Sequence, residues 1–314
     1  MKTILKAVLA ASAIAAVPFA TASAAEIAVI VKTTNSNFWQ NVNKGASAAI
    51  DGQSDITMTF DGPASESDIA AEVNMVDNAV NKGVAGIVLA PSDPDALVPA
   101  VKRANEAGIP VAIIDSALSD AGKGTYQTFL STDNCAAGKL AADRMIELTG
   151  GEGKVAVMSY VAGVGSEIGR VGCFVDKIKA DSKIEIVGPY YSQSQMATAL
   201  NQTTDVLAAN PDLKGIFGAN EPTAVGMGRA IKQAGKAGQV AAIGFDGNKD
   251  LQDFVKDGTL NAILVQGSFQ MGEKGVQAIM ELMDGKSVEP QIDTGVVLVT
   301  KDNIDTDEAR NVLY

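Results

Sequence analysis

The stretch GIVLAPSDPDALVPAVKRANEAGIPVAIID, residues 86–115, decides the fold of this 314-residue chain. Its pattern predicts a short apolar strand, a polar loop, a helix, a glycine-bearing turn and a second apolar strand that ends in Asp115. The segment between the strands is long enough for the helical crossover that two parallel strands require. Asp115 is therefore expected at the carboxyl end of a parallel strand, the edge at which open α/β sheets bind ligands.

A second stretch of the same type, GIFGANEPTAVGMGRAIKQAGKAGQVAAIGFD, covers residues 215–246 and ends in Asp246. The likeness has two interpretations, because it reflects either an internal duplication into two lobes or the general similarity of all βαβ units. In both cases Asp246 is predicted at the carboxyl edge of a sheet, as Asp115 is. Two such edges that face each other would form a cleft.

Short apolar runs alternate with segments of helical period along most of the chain. The predicted strands are residues 26–31, 56–60, 86–89, 110–115, 125–131, 154–160, 184–190, 214–217, 240–245 and 261–265. Helices are predicted for residues 67–80, 97–106 and 196–209. This alternation predicts an α/β fold whose parallel sheets are covered by helices on both faces. The chain length favours two domains.

The first 25 residues, MKTILKAVLAASAIAAVPFATASAA, have the pattern of a secretory signal peptide. Two lysines precede an apolar stretch, and Ala22-Ser23-Ala24 offers a small-residue cleavage site. A membrane anchor is the alternative, but the apolar stretch is short for a spanning helix. Because the first cysteine is Cys135, no lipid anchor is expected at the cleavage point, and the sequence predicts a soluble, exported protein.

Composition excludes several classes of function. Removal of the leader leaves 23 basic against 37 acidic residues, a formal charge of −14, so nucleic acid and anionic lipid are not expected as partners. The absence of histidine excludes Ser-His-Asp and Cys-His catalysis and the usual zinc sites, and no metal or cofactor is expected. Cys135 and Cys173 either form one disulfide or stay as buried small apolar residues.

Polar side chains recur where predicted strands end. Besides the two aspartates, Asn220 and Gln266 each follow a strand, and Arg170 lies near the same edge. Carboxylates accept several hydrogen bonds and cationic groups donate them, which suits the hydroxyls of a polyol. Paired carboxylates could instead carry out acid–base chemistry, and each residue alone could be a loop cap or a surface group.

Two further segments have alternative interpretations. GVGSEIGR, residues 163–170, resembles a nucleotide-binding glycine loop but departs from the dinucleotide spacing, so a tight turn with Ser166 as a helix cap is the other interpretation. Phe38 and Trp39, in KTTNSNFWQ, lie beside Lys32 and could cover the apolar faces of a sugar ring. Met196 and Met227 are interpreted as core or helix filler.

Several segments in order along the chain resemble a known family. IAVIVKTTNSNFWQNVNKGA, LAPSDPDALVPAVKRANEAGIPVAIID, STDNCAAGKLAA, ANEPTAVGMGRAIKQAGK, IGFDGNKD and DGTLNAILVQ are similar to periplasmic sugar-binding proteins of the ribose-binding type. The resemblance implies a type I periplasmic binding protein fold, with two Rossmann-like lobes of parallel sheet joined by a three-strand hinge. It implies a first lobe of residues 26–132 and about 267–296, and a second lobe of residues 133–266 and about 297–314.

The resemblance also implies roles for single residues. Ligand contacts are expected from Lys32, Ser36, Phe38, Trp39 and Asp115 of the first lobe, from Arg170, Asn220 and Asp246 of the second, and from Gln266 at a hinge. Lys32 matches the arabinose-type receptors, while Ser116 and Ser194 replace larger residues of the ribose-type pattern. A hexose, a deoxyhexose or a pentose is therefore the expected ligand, rather than ribose in particular.

The function implied by the resemblance is that of a periplasmic solute receptor for an ABC importer. Such a receptor closes over a monosaccharide by hinge motion and delivers it to a permease in the inner membrane. The protein is expected to be a monomer and not an enzyme. The alternatives are a sensor that presents its closed form to a chemoreceptor or kinase, and an exported glycosidase that uses Asp115 and Asp246.

Overall fold

The computed structural model describes residues 24–314. The predicted signal peptide lies outside the described residues except for its last two, and Ala25 already begins the first strand. Within residues 24–314, no helix has both the length and the apolar character needed to cross a membrane.

Strands and helices alternate as the apolar runs predict. The strands are β1 Ala25–Ile30, β2 Ile56–Asp61, β3 Gly86–Leu89, β4 Val111–Ile114, β5 Thr128–Ser131, β6 Glu152–Ser159, β7 Lys183–Tyr191, β8 Leu213–Gly218, β9 Ala241–Phe245, β10 Ala262–Gln266, β11 Gln291–Asp293 and β12 Val296–Val299. The helices are α1 Asn37–Ala49, α2 Ile69–Lys82, α3 Val98–Glu106, α4 Asn134–Thr149, α5 Gly165–Asp181, α6 Met196–Ala209, α7 Glu221–Gln233, α8 Lys249–Asp257, α9 Ser268–Met283 and α10 Asp307–Arg310.

The strands form two six-stranded sheets, one in each lobe. The first has the order β11-β5-β4-β3-β1-β2, and the second has the order β12-β10-β9-β8-β6-β7. Neighbouring strands are parallel except for β12, which pairs with β10 in antiparallel register. The predicted fold class, two α/β lobes of parallel sheet, is confirmed, with β12 as the one antiparallel strand among the described residues.

Both faces of each sheet are covered, as a parallel sheet requires. In β3 the side chains of Ile87 and Leu89 pack into one apolar cluster, while Val88 between them packs into the cluster on the opposite face. Ile216 and Phe217 divide in the same way between the two clusters of the second lobe. Near-continuous apolar runs are therefore needed in these strands, which explains why they are visible in the sequence.

The chain passes between the two sheets three times. The passages lie between β5 and α4, between β10 and α9, and between β11 and β12. A hydrogen bond joins the first passage to the third, because Thr132 Oγ1 donates to the Gly295 carbonyl over 3.0 Å. The division of the chain into lobes at particular residues stays a prediction.

The two helices α4 and α5 are joined covalently. Cys135 and Cys173 form a disulfide, with their Cα atoms 5.2 Å apart, so the first of the two sequence interpretations is correct. The helices also approach closely, because a Cβ on Gly138 would lie 2.1 Å from the carbonyl oxygen of Arg170. Glycine is therefore required at residue 138, and the helix that carries Arg170 is held firmly against its neighbour.

Candidate functional site

A cleft of about 320 Å³ lies between the carboxyl ends of the two sheets. All nine side chains predicted from the sequence line it: Lys32, Ser36, Phe38, Trp39, Asp115, Arg170, Asn220, Asp246 and Gln266. The fold therefore brings together residues that are spread over more than two hundred positions of sequence.

The two aspartates have equivalent positions in the two lobes. Asp115 follows β4 with φ 62°, and Asp246 follows β9 with φ 78°. The other described non-glycine residues with positive φ are Gln193 and Ser194, and Ser194 reaches the same region. Such conformations cost about 1–3 kcal/mol each and concentrate at functional sites. The backbone is thus bent to aim both carboxyl groups into the cleft.

The first lobe contributes a buried ion pair. Lys32 Nζ lies 2.5 Å from Asp115 Oδ2 and 2.6 Å from the hydroxyl of Ser116. Both charged side chains are almost entirely buried, so each depends on its partner to offset the loss of hydration. The Ser116 hydroxyl also accepts a bond from the backbone N–H of Ser166 in the second lobe, over 3.2 Å. This ion pair therefore lies at a direct contact between the lobes.

Two aromatic rings form a wall of the cleft at the start of α1. Ser36 is the N-cap of this helix and accepts a bond from the Trp39 backbone N–H. Phe38 and Trp39 meet edge to face with centroids 4.8 Å apart, and Lys32 Nζ lies 5.8 Å from the Trp39 ring. Because the rings also belong to the apolar core of the first lobe, their orientation in the cleft is fixed by packing.

Arg170 is the central cation of the second lobe. Its guanidinium lies 3.6 Å over the Phe245 ring and donates to the Ala219 carbonyl over 2.7 Å and to Gln266 Oε1 over 3.1 Å. Its Nε and Nη2 groups also donate to Asn134 Oδ1. A planar group held by stacking and by several acceptors has little freedom left. Four of its five N–H groups are used in these bonds, so Arg170 can offer the remaining Nη1 N–H to a ligand with little loss of entropy.

Asp246 lies beside Arg170 without a direct ion pair. Its carboxylate accepts bonds from Gln266 Nε2 over 2.8 Å and from the Glu221 backbone N–H over 2.9 Å. Burial raises the pKa of Asp246 to about 6, although the charge of Arg170 acts in the opposite direction. The carboxylate keeps unused acceptor capacity in a desolvated place, where a hydroxyl donor would bind strongly.

The cleft also contains residues that the sequence prediction did not include, namely Glu66, Tyr160, Ser166, Glu221 and Pro222. Glu66 lies in the loop after β2, five residues beyond the strand end, so the strand-end criterion does not find it. Its carboxylate accepts bonds from Trp39 Nε1 over 3.0 Å and from the Ser194 hydroxyl over 2.5 Å. Glu66 therefore connects an aromatic wall of the first lobe to the second lobe.

The predicted helix cap at Ser166 is wrong. The N-cap of α5 is Val164, which makes no side-chain capping bond. The Ser166 hydroxyl instead pairs with the Tyr160 hydroxyl over 2.8 Å, inside the cleft. The glycine loop, residues 163–170, therefore places the Ser166 hydroxyl in the cleft and the Ser166 backbone N–H against Ser116 of the first lobe.

Glu221 joins the lobes from the first turn of α7. One carboxylate oxygen accepts from the Asn37 backbone N–H of the first lobe over 2.8 Å, and the other accepts from the Tyr314 hydroxyl over 2.9 Å. Burial and the neighbouring charge of Asp246 raise the pKa of Glu221 to about 8. This carboxyl group is thus expected to be largely protonated at neutral pH when the lobes are closed.

The side chains that line the cleft are suited to hydrogen bonding. Within residues 24–314, no group of three or more His, Cys, Asp or Glu side chains is placed to hold a metal ion. Carboxylates, amides and cations alternate around two aromatic rings, so the cleft offers both donors and acceptors to a small polyhydroxylated ligand.

Comparison with known proteins agrees with this fold and site. The family model of the periplasmic binding protein domain matches residues 27–287. The ribose import binding protein of Salmonella typhimurium is 31% identical over 275 residues, which cover 88% of this chain and 90% of that protein. The D-allose-binding periplasmic protein of Escherichia coli is 31% identical over 274 residues, which cover 85% of this chain and 88% of that protein.

Solved structures are also similar. An ABC transporter solute binding protein from Agrobacterium vitis with bound D-fucose is 73% identical with a TM-score of 0.91, covering 92% of this chain and 100% of that one. A carbohydrate transporter solute binding protein from Agrobacterium radiobacter, in complex with D-arabinose, is 32% identical with a TM-score of 0.88 and covers 93% of this chain and 99% of that one.

Two α/β lobes with buried polar groups between their facing strand ends define a two-lobed solute receptor. The chain belongs to the periplasmic binding protein family. The matched proteins are binding components of ABC transporters, so the chain is a transport receptor rather than an enzyme. The family and function class predicted from the sequence are confirmed, and the glycosidase alternative is rejected.

Proposed function

We propose that this receptor binds one pyranose sugar, of the 6-deoxyhexose, aldohexose or pentose type, and delivers it to an ABC permease in the inner membrane. The observation that carries the proposal is the cleft itself, in which two desolvated carboxylates, two fixed cations and an aromatic pair face one another. The D-fucose bound by the Agrobacterium vitis relative, at 73% identity, supports a 6-deoxyhexose as the first ligand to test.

The binding chemistry follows from the donors and acceptors. Asp115 and Asp246 accept bonds from sugar hydroxyls, while Lys32 and Arg170 donate to hydroxyl or ring oxygens. Phe38 and Trp39 cover apolar C–H faces of the ring. Every buried hydroxyl needs a partner, since an unsatisfied one costs about 1–3 kcal/mol, and the cleft supplies partners from both lobes.

The sugar stabilises the closed form because it contacts both lobes at once. Asp115 belongs to the first sheet, and Arg170 and Asp246 belong to the second. A ligand shifts a conformational equilibrium only through such differential contact. The three passages between the sheets act as the hinge. The closed surface is then the form that the permease recognises.

Export, oligomeric state and lipid anchoring describe the state of the protein in the cell. We infer that it is exported to the periplasm and acts there as a monomer. A lipid anchor is not proposed, because both cysteines of the sequence, Cys135 and Cys173, are held in the disulfide. Light scattering after size exclusion would measure the monomer, and mass spectrometry of the exported protein would show the cleavage site and any lipid.

Calorimetric titration tests the ligand. D-Fucose, D-galactose, D-arabinose, D-ribose and D-allose are titrated into the purified protein, with the Asp246→Asn variant as a control. At least one of these sugars is expected to bind with a stoichiometry of one and to lose affinity in the variant. Absence of binding by the whole panel would reject the sugar proposal.

A further inference from the structure

A second hollow, of about 510 Å³, lies directly beside the cleft. Its lining comes from both lobes and consists of Thr33, Asn35, Ser36, Ala64, Ser65, Glu66, Ser194, Gln195, Met196 and Pro222. Ser36, Glu66 and Pro222 also line the cleft, so the two spaces share a wall. The hollow therefore adjoins the site across this shared wall.

The hollow runs from the surface down to this wall. Its inner residues Ser36, Glu66 and Ser194 are buried, whereas Gln195 and Met196 at the rim are exposed. Met196 is therefore not a core residue, since 38% of its surface is exposed, although it does lie in a helix, at the start of α6. An apolar thioether at the rim of a polar hollow offers a contact for apolar ligand surface.

The wall between the two spaces is built from small side chains and one bond between the lobes. Ser194 Oγ donates to Glu66 Oε2 over 2.5 Å and accepts a bond from Asn220 Nδ2 over 3.0 Å. The left-handed backbone at Gln193 and Ser194, with φ of 56° and 54°, places Ser194 at the wall. A larger residue than serine at 36 or 194 would thicken this wall and narrow the space beside it.

The hydrogen-bonding groups of the wall fit an ether oxygen. An oxygen that links a sugar to a substituent has no hydrogen and can only accept bonds. At the wall, Asn220 Nδ2 keeps one N–H beyond its bond to Ser194, and the Ser194 hydroxyl becomes available as a donor when it leaves Glu66. Glu66 can accept from a neighbouring free hydroxyl once Ser194 turns away from it. The wall therefore provides for a linked sugar as well as for a free one.

We propose that the hollow is a subsite for an oxygen-linked substituent, so that the receptor binds glycosides or ring-substituted sugars with the sugar ring in the cleft. The inference rests on the proposed sugar-binding function. The substituent is a small aglycone or one further sugar ring, which would lay an apolar face on Met196 and form polar contacts with Asn35 and Gln195 at the rim.

Calorimetric titration with matched free and substituted sugars tests the subsite. The probes are D-fucose and D-galactose, the methyl and phenyl D-galactosides of both anomers, and 6-O-methyl- and 6-O-benzyl-D-galactose. At least one substituted sugar is expected to bind within about tenfold of the free sugar that it contains. If a free sugar binds and every substituted sugar is rejected, the subsite is disproved while the proposed function stands. If neither these probes nor any sugar of the first panel binds, the proposed function itself fails.

A variant that fills the hollow gives the second readout. Met196→Trp is expected to shift the ratio of the two Kd values, substituted over free, by at least tenfold in favour of the free sugar. Ala208→Trp, at an exposed position of the same helix, is the matched control and should leave this ratio unchanged. Gln195→Trp serves if Met196→Trp fails to fold. An unchanged ratio in a folded filling variant would overturn the subsite.

Discussion

Asp115 and Asp246 are structural counterparts across the cleft. Each follows the fourth parallel strand of its sheet, counted along the chain, has a left-handed backbone and bonds through its N–H to the neighbouring strand, to Leu130 and Leu264 respectively. Their partners differ, because Asp115 pairs with Lys32 while Asp246 accepts from Gln266 and from the Glu221 backbone. Each lobe thus places an aspartate at the same structural position, but the two carboxylates have different electrostatic surroundings.

Asp246→Asn is expected to weaken sugar binding by roughly tenfold to a hundredfold, since hydrogen bonds to a charged acceptor contribute about 1.5–3 kcal/mol. Folding should be retained, because the amide has nearly the same shape, although its nitrogen can no longer accept one of the two bonds from Gln266 Nε2 and the Glu221 N–H. Calorimetry gives the affinity and thermal unfolding gives the stability. Asp212→Asn, at an exposed position, is the control. Wild-type affinity in Asp246→Asn would remove Asp246 from the binding site.

Arg170→Ala is expected to reduce both affinity and stability. The guanidinium donates hydrogen bonds to the Ala219 carbonyl, Asn134 and Gln266. Each buried acceptor that loses its donor costs about 1–3 kcal/mol. The free energy of unfolding should therefore fall by at least about 2 kcal/mol, unlike that of the Asp246→Asn variant. Chemical denaturation measures this difference. If the variant loses binding while its free energy of unfolding is unchanged, the hydrogen bonds of Arg170 do not stabilise the fold.

Sugar affinity is expected to fall as pH rises toward about 8. Glu221 has a pKa of about 8 in the closed form, raised by burial first and by Asp246 second. Opening exposes the carboxyl group and returns its pKa toward the ordinary value, so closure takes up a proton. The stabilisation of the closed form is full below the ordinary pKa of 4.5, falls as pH rises from there to the raised pKa by at most about tenfold per pH unit, and levels off above it.

Titrations between about pH 6.5 and about pH 8.5 measure this dependence. Glu221→Gln keeps the shape of the side chain and its acceptor for the Asn37 N–H, but it does not titrate. Its affinity should therefore be nearly independent of pH in this window. A pH dependence that persists unchanged in Glu221→Gln would assign the titration to another group.

Trp39 should report binding through its fluorescence, because it is the single tryptophan of the chain. Its indole lines the cleft and donates to Glu66, which Ser194 of the second lobe contacts, so closure changes the surroundings of the ring. Saturating sugar is expected to shift the emission to shorter wavelength, and Trp39→Phe should abolish the signal. Emission that is indifferent to a sugar shown by calorimetry to bind would place Trp39 outside the moving cleft.

Loss of the disulfide should destabilise the second lobe. The bond joins residues 38 positions apart and ties α4 to α5, the helix of Arg170. Cys135→Ser with Cys173→Ser is expected to lower the free energy of unfolding by roughly 2–4 kcal/mol. Thermal unfolding with and without a reductant measures the effect. If the reductant leaves the melting temperature of the wild-type protein unchanged, the disulfide contributes no stability.

Much of the cleft can be predicted because parallel strands place their carboxyl ends at one edge. Asp115, Asn220, Asp246 and Gln266 were found by that criterion alone, and all of them line the cleft. Glu66 was missed because it lies in a loop whose path depends on packing against Trp39 and Ser194. Ser166 was interpreted as a cap because a serine before a helix usually has that role.

The sequence by itself determined the alternation of buried strands and helices, and with it the two lobes and the edges at which their polar residues meet. That information is local, since apolar periodicity and turn residues act over a few positions. Only the tertiary structure decided that Cys135 bonds to Cys173, that Glu221 and Glu66 join the lobes, and that a hollow adjoins the cleft. These contacts join residues distant along the chain, and their distances depend on how two separately packed lobes meet.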